Sequence, residues 1–229
     1  VGGDLGKVIN NCRNFVKLRA EYRTPEYSGP FLSTTFTMNR SNMPEVPEFV
    51  ELASDVGFDQ IHIKNQDVVS KPDDVQQILF PFSDHQPAIP YDELEAKFAQ
   101  ARLIALERGT TLLLPTFEHG FTNTCNPIQQ GGVYVAATGE VSPCVNLGHP
   151  TPRMMPDGSY IENSGLLFGN LHEQCFDEIW KTEQWTKFRK EFDQGVVPKA
   201  CEGCQLLRKS EFHITEPESR TADLRDVAG

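Results

Sequence analysis

The sequence lacks both an excess of basic residues and any long apolar run. It has 21 Lys and Arg against 32 Asp and Glu, a formal net charge of −11 over 229 residues. A nucleic-acid-binding surface needs a basic face, so nucleic acid is not an expected partner. No apolar run reaches the roughly 20 residues of a membrane-spanning helix, and no charged-then-apolar leader opens the chain. We therefore expect a cytoplasmic protein without membrane contact.

Helices and strands alternate over the first half of the sequence. Apolar residues at three- and four-residue spacing predict the helices, and β-branched and aromatic runs predict the strands. This order indicates a parallel sheet with right-handed crossovers. The predicted elements, helix first, are 5–20, 31–38, 45–56, 61–64, 91–108 and 110–115.

Three parallel strands alone would leave the edges and faces of a sheet uncovered. The chain also begins at Val1 and enters a helical pattern within a few residues. We therefore expect further strands upstream. The alternation fits either a doubly wound α/β fold or an α/β barrel.

Polar side chains alternate along two of the predicted strands. Thr35, Thr37 and Asn39 follow this pattern on one strand, and His62 and Lys64 follow it on another. Alternating residues share one face of a strand, as pore-lining residues of a barrel do. They are candidate cofactor-binding residues, and the alternative interpretation is solvated strand ends.

The character of the sequence changes near Phe121, where glycine and proline become frequent. A hairpin is predicted around Gly139, and its second strand leads to Cys144. Asn170 can cap a helix that begins near Leu171, and a docking helix is expected over roughly 173–193. Residues 150–165 have the composition of a loop. The predicted domains are 1–120, 121–208 for the Cys-rich module, and a polar tail over 209–229.

Four of the six cysteines have the spacing of a metal site. Cys201 and Cys204 form a C-x2-C turn, and Cys125 and Cys144 lie in the same predicted module. Four thiolates complete either an iron–sulfur cluster or a zinc site. Zinc ribbons usually contain two C-x2-C turns and this module has one, which favours [4Fe–4S] and leaves zinc as the alternative.

The remaining cysteines and two histidines have plainer interpretations. Cys12 and Cys175 lie on predicted apolar helix faces, where a free cysteine packs as a small hydrophobe. His119 and His149 lie near Cys125 and Cys144 in the sequence. They are either hydrogen-bond donors to a cluster or surface loop residues.

The module resembles the SPASM/twitch extension of radical S-adenosylmethionine (SAM) enzymes. That family has a hairpin ending in Pro-Cys, a Gly-Asn turn, a helix ending in Ile-Trp and a closing C-x2-C, in this order. The matching segments here are Gly131–Val135, Thr138–Cys144, Phe168–Leu171, Phe176–Trp180 and Cys201–Cys204.

The upstream helices and strands, especially Asn42 and the segment Leu52–Asp59, similarly resemble the fourth to sixth strands of the partial barrel of that family. The fold class that the resemblance implies is α/β. It consists of a half parallel α/β barrel over 1–120, then a small Cys-rich α+β module with a β-hairpin and a docking helix.

The resemblance implies that Cys125, Cys144, Cys201 and Cys204 hold the single auxiliary [4Fe–4S] cluster of the twitch form. In the family, SAM binds at a second [4Fe–4S] cluster held by a C-x3-C-x2-C triplet, which this sequence does not contain. SAM and that cluster are therefore expected only in a full-length parent, and the chain alone is expected to be inactive.

The resemblance further implies an oxidoreductase or maturase acting on a peptide, a cofactor or a small molecule, with an electron-transfer protein as a second partner. Two other functions remain open at this point. One is a non-catalytic iron–sulfur module for electron transfer or docking, and the other is a zinc-stabilised interaction domain.

Overall fold

A computed structural model describes residues 3–24, 27, 29–66, 71–79, 88–116, 122–155, 159–207 and 212–217. These residues divide into two compact units. The first unit contains the described residues up to 66 together with 88–116 and 212–217. The second contains 71–79 and the described residues between 122 and 207.

The secondary structure follows the alternation expected from the sequence in the first unit and is more finely divided in the second. The helices are α1 (Leu5–Glu21), α2 (Val46–Val56), α3 (Tyr91–Arg108), α4 (Asn126–Gln129), α5 (Val145–Gly148), α6 (Phe176–Trp180) and α7 (Glu183–Asp193). The strands are β1 (Ser33–Met38), β2 (Gln60–Asn65), β3 (Thr111–Pro115), β4 (Tyr134–Val135), β5 (Glu140–Ser142), β6 (Thr151–Met154), β7 (Tyr160–Asn163), β8 (Gly169–Asn170) and β9 (Phe212–Thr215). Short 3₁₀ turns cover Met43–Glu45, Pro72–Gln77, Lys199–Cys201 and Gln205–Leu207.

The sheet of the first unit has the strand order β1-β2-β3-β9. Strands β1, β2 and β3 are adjacent and parallel, as the alternating pattern predicts. Strand β9 pairs antiparallel with β3, and Phe212 lies opposite Pro115. Part of the predicted polar tail is therefore a strand, because the aromatic Phe212 and the β-branched Ile214 and Thr215 are enough to pair with an available edge. The barrel itself stays a prediction.

One face of this sheet is covered by α2 and α3, which also pack against each other. Ile61, Ile63, Leu112 and Leu114 point to that side and have no exposed surface. Both helices end at a glycine in the left-handed conformation, a position where residues with a side chain are strained. These are Gly57 with φ 97° and Gly109 with φ 68°.

Helix α1 is fixed to the sheet by a buried ion pair. The guanidinium of Arg19 contacts the carboxylate of Asp59, and both side chains are less than one tenth exposed. Arg19 also donates to the carbonyls of Pro30 and Gly57, each at 3.2 Å. The Asp59 carboxylate accepts the backbone N–H of Leu32 at 2.8 Å. This network joins α1 to the segments that enter β1 and β2.

Much of the apolar surface of α1 is nevertheless exposed. Of the apolar face predicted for this helix, Ile9, Cys12 and Val16 are half-buried. Its other residues, with Leu18, form an exposed apolar stripe. The residues of this stripe, 41% to 69% exposed, are Leu5, Val8, Phe15 and Leu18.

The second unit contains the predicted hairpin. Strands β4 and β5 pair antiparallel, with Val135 opposite Val141. Gly139 occupies the turn with φ 84°, as predicted for a glycine at this position. Strand β8 adds to the free side of β5.

Three predictions for the second unit were wrong. The docking helix is two helices, because Thr182 ends one and caps the next by accepting the N–H of Trp185. Residues 150–165 include the antiparallel strands β6 and β7 and are not a plain loop. Asn170 does not cap a helix: its amide donates to the carbonyl of Thr138 at 3.0 Å and so holds the hairpin turn.

None of the helices within the described ranges is long and apolar enough to cross a membrane.

Candidate metal centre

Four cysteines line one pocket in the second unit. They are the four that the sequence singled out: Cys125, Cys144, Cys201 and Cys204. Cys125 and Cys201 are buried, and Cys144 and Cys204 are half-buried. Residues far apart in the sequence therefore present thiols to a common space.

The first two cysteines each precede a short helix. Cys125 lies directly before α4, and its carbonyl accepts the N–H of Gln129 at 2.9 Å. Cys144 lies between β5 and α5, and its carbonyl accepts the N–H of Leu147 at 3.2 Å. The hairpin thus positions Cys144, while the turn into α4 positions Cys125.

The other two cysteines belong to one tight turn. The N–H of Cys204 donates to the carbonyl of Cys201 at 3.0 Å, and Gly203 between them has φ 66°. A glycine at this positive φ lets the chain reverse within the C-x2-C segment. Both side chains consequently reach the same pocket, as the spacing predicts.

The rest of the pocket is mainly apolar and continuous with the core of the unit. One polar residue, Asn146, also lines it. Such surroundings limit the access of water to the thiols. The apolar lining residues are Ile128, Leu147, Phe188, Phe192, Ala200, Leu206 and Leu207.

The thiols are mutually close enough to affect one another's ionisation. Burial raises the pKa of Cys125, the N–H of Ile128 partly offsets this, and Cys204 adds to the increase. Burial likewise raises the pKa of Cys144; the N–H groups of Leu147 and Asn146 oppose it, and Cys204 and Cys125 reinforce it. Because thiolates are the metal ligands, metal binding here must release protons.

Four thiolates can complete either an iron–sulfur cluster or a zinc site, and the two need different separations of the sulfur atoms. Within the described ranges, no group of three or more His, Cys, Asp or Glu side chains is arranged to hold one metal ion. A tetrahedral zinc site with Zn–S bonds of about 2.3 Å draws its sulfurs to within about 3.8 Å of each other. A four-iron cluster keeps its thiolates farther apart, because iron and sulfide atoms lie between them.

The comparison with protein families bears on the same segment. Residues 125–205 match the SPASM family model, described as an iron-sulfur cluster-binding domain. We call this segment the SPASM domain, after the family model that it matches. The match begins at Cys125 and includes Cys201 and Cys204, so it spans all four cysteines of the pocket. The resemblance drawn from the sequence motifs is confirmed for this part of the chain.

A curated relative extends the similarity beyond the SPASM domain. It is the "tungsten-containing aldehyde ferredoxin oxidoreductase cofactor-modifying protein" of Pyrococcus furiosus. The chain is 26% identical to it over 208 residues, which are 90% of this chain and 54% of the relative. The chain therefore spans about half the length of the curated relative that it matches. No solved structure matches the chain significantly.

The two remaining cysteines lie away from the pocket. Cys175 was expected on an apolar helix face, but it is exposed and lies just before α6. The prediction failed because the helix begins at Phe176, after Cys175, and not near residue 173. The Glu178 carboxylate accepts the backbone N–H of Cys175 at 3.0 Å, which fixes this start. Cys12, in α1, is half-buried.

His149 in the SPASM domain is exposed and lies 2.6 Å from the hydroxyl of Tyr134 through its Nε2. This contact favours the interpretation as a surface loop residue over that of a donor to the cluster. His119 lies outside the described residues.

Ser142 is a residue of this site that the sequence interpretation missed. It has no exposed surface and belongs to β5, two residues before Cys144. The sequence carries no signal for this residue, because its burial follows from the fold.

The strand residues predicted as a half site lie on the first unit. Thr35 pairs with His62, and Thr37 pairs with Lys64, so the structure brings these four together on adjacent strands. Asn39 follows β1, and its amide oxygen accepts N–H groups of the next turn, including that of Ser41 at 3.0 Å. Asn39 therefore serves at least partly as a turn residue before α2.

Proposed function

We propose that this chain is the C-terminal portion of a radical SAM enzyme, and that its SPASM domain holds one auxiliary [4Fe–4S] cluster. The proposed ligands are Cys125, Cys144, Cys201 and Cys204. The observation that carries the proposal is the convergence of these four thiols on one pocket, within the segment that matches the SPASM family.

When bound, such a cluster supplies one-electron transfer. Four cysteine ligands leave no iron position open, so direct binding of substrate to the cluster is not expected. The apolar lining, including Leu147, Phe188 and Phe192, would keep water from the sulfurs. Burial and hydrogen bonds near the sulfurs are among the features that set the reduction potential of such clusters.

The first unit supports the enzyme part of the proposal. Its three adjacent parallel strands are consistent with part of a larger α/β barrel. The exposed apolar stripe of α1 is the kind of surface that further structure would cover. SAM and its own cluster would belong to a full-length parent, since this sequence has no C-x3-C-x2-C triplet. We expect the 229 residues alone to leave SAM uncleaved.

A cofactor is the preferred substrate class for the parent enzyme. The name of the Pyrococcus furiosus relative describes a cofactor-modifying protein, and that similarity covers nine tenths of this chain. Oxidative modification of a cofactor or another small molecule, with an electron-transfer protein receiving the electrons, is therefore the proposed activity of the parent.

Anaerobic reconstitution tests the cluster directly. The purified chain is incubated with iron and sulfide, desalted, and analysed for iron, sulfide, zinc and visible absorption. About four iron and four sulfide per chain, with a broad band near about 400 nm, are expected for a [4Fe–4S] thiolate site. One zinc per chain without colour would reject the proposal and favour a zinc-stabilised interaction domain.

A second measurement separates the enzyme from a non-catalytic iron–sulfur module. The complete reading frame of the parent gene is searched for a C-x3-C-x2-C triplet, and the full-length protein is assayed for reductive cleavage of SAM. Absence of both would leave an electron-transfer or docking module as the function.

A further inference from the structure

The face of the first unit's sheet that points away from α2 and α3 carries an ordered row of side chains. Thr35 pairs with His62, His62 with Leu113, and Leu113 with Ile214. Residues directly opposite each other in neighbouring strands share a face. Thr35 is exposed, His62 and Leu113 are half-buried, and Ile214 is 61% exposed.

This face of the sheet has an apolar end and a polar end. Leu113 and Ile214 form the apolar end, to which the C-terminal strand β9 contributes one of the two residues. Thr35, Thr37, His62 and Lys64 form the polar end on β1 and β2. An isoleucine with most of its surface in water beside a second apolar residue is a surface that an apolar group can cover.

The formal charge of this face is positive. Lys64 is exposed and cationic, and none of the four strands contains Asp or Glu. The chain as a whole has 32 acidic residues, so their absence from this sheet contrasts with its average composition. Charge complementarity therefore favours an anionic ligand over a cationic one.

We propose that this face binds a small molecule that joins an apolar part to an anionic group. Leu113 and Ile214 would contact the apolar part, and Lys64 with the Thr37 hydroxyl would bind the anion. This rests on the proposed function, because the ligand would be the small molecule that the parent enzyme modifies. Ile214, beyond the SPASM domain in sequence, would then help determine substrate specificity.

Two probes with a shared aromatic framework test the ligand class. 1-Anilinonaphthalene-8-sulfonate has an anionic group, and N-phenyl-1-naphthylamine lacks it. Each is titrated into the reconstituted chain with labelled isoleucine and leucine methyl groups, and the Ile214 and Leu113 signals are followed by NMR. Both signals are expected to shift saturably with the sulfonate probe.

Single substitutions test which side chains contact the probes. Lys64→Gln is expected to weaken binding of the sulfonate about two- to fivefold, the range for an exposed ion pair, and to leave binding of the neutral probe unchanged. Lys64→Arg keeps the charge and should restore binding. Lys17→Gln, at an exposed lysine of α1, is the matched control and should change neither affinity. Ile214→Thr should weaken the binding of both probes, which is then measured from the Leu113 signal.

The inference is overturned if the Ile214 and Leu113 signals do not move, or if Lys64→Gln affects the two probes equally. The signals of the buried Ile61 and Ile63 methyl groups report whether each variant is folded. Iron analysis of the same sample keeps the two proposals apart. Four iron per chain without probe binding would reject only the proposed ligand-binding face. Probe binding without bound iron would reject only the proposed cluster.

Discussion

The buried hydroxyl of Ser142 donates a hydrogen bond to the backbone carbonyl of Cys144 at 3.2 Å. It therefore fixes the chain where the hairpin delivers one of the four pocket thiols. Ser142→Ala is expected to lower the free energy of unfolding of the SPASM domain by about 0.5–1.5 kcal/mol, the usual net value of one hydrogen bond. Urea unfolding measures this. Ser164→Ala, at an exposed serine of the same unit, is the control, and equal losses in both would contradict the assignment.

The ligand assignment predicts different outcomes for two cysteines of the same unit. Cys201 is buried in the pocket and Cys175 is exposed outside it. Cys201→Ala should abolish most of the visible absorption after reconstitution and reduce the bound iron, because a cluster with one ligand missing is less stable. Cys175→Ala should retain four iron per chain. Similar loss from both variants would show that the four ligands were wrongly chosen.

The hairpin turn depends on a glycine for two reasons that can be separated. Gly139 has φ 84°, and a Cβ there would lie 2.5 Å from the Asn170 side-chain oxygen and 2.6 Å from the His172 ring. Gly131 has φ 71° but no heavy atom within 4 Å of such a Cβ. Gly131→Ala should cost about 1 kcal/mol of unfolding free energy from backbone strain alone. Gly139→Ala should cost more and retain less iron; a smaller cost would contradict this account.

The ion pair of Arg19 and Asp59 should be far more important to stability than the exposed ion pairs of Arg108. Arg19→Met leaves the Asp59 carboxylate buried without its cation, which typically costs about 3–5 kcal/mol. Arg108 contacts Asp55 and Glu51 at a position 41% exposed, so Arg108→Met should cost no more than about 1 kcal/mol. Urea unfolding of the two variants gives the comparison. Nearly equal costs would mean that the buried pair is better hydrated than its contacts indicate.

The pKa of His62 is lowered, first by burial and second by Lys64. His62 in the folded chain therefore becomes protonated only at a lower pH than in the unfolded chain, where its pKa has the ordinary value of about 6.5. Above the pKa of the unfolded chain, His62 is neutral in both states and does not affect stability. As the pH drops below it toward the pKa of the folded chain, the free energy of unfolding decreases. Unfolding at about pH 7.5 and about pH 5.5 should show this loss in the wild type, and His62→Gln should reduce it.

His213→Gln, at an exposed histidine of β9, serves as the control for that titration. Lys64→Gln should raise the pKa of His62 measured by NMR without restoring it fully, since burial remains. A pKa of His62 above its ordinary value would overturn the prediction.

The sequence predicted the first unit well because its signals are local. Periodic apolar residues, and the glycines that end α2 and α3, identify the helices, and the alternation of elements predicts β1, β2 and β3 as parallel neighbours. Strand β9 could not be found in this way. Its pairing with β3 depends on an edge that only the folded sheet presents, and its own composition is that of a polar tail.

The candidate site was predictable as far as the cysteines define it. The C-x2-C turn and the hairpin ending at Cys144 indicated which thiols converge, and the structure brings all four together. The environment of Cys175 was mispredicted, since apolar spacing does not reveal where a helix begins. The role of Ser142 required knowledge of burial, and Ile214 required knowledge of strand pairing.

Strands β3 and β9 pair as the two arms of a hairpin, with Pro115 opposite Phe212. In the order of the chain, the whole SPASM domain stands where the loop of that hairpin would be. A cut after the third parallel strand would therefore not yield an intact first unit, because it would also discard the fourth strand. Replacing the intervening residues by a short turn from Thr116 to Phe212 would keep both arms. Residues 71–79, which belong to the second unit and lie between β2 and α3, would have to be replaced as well before the first unit could be studied alone.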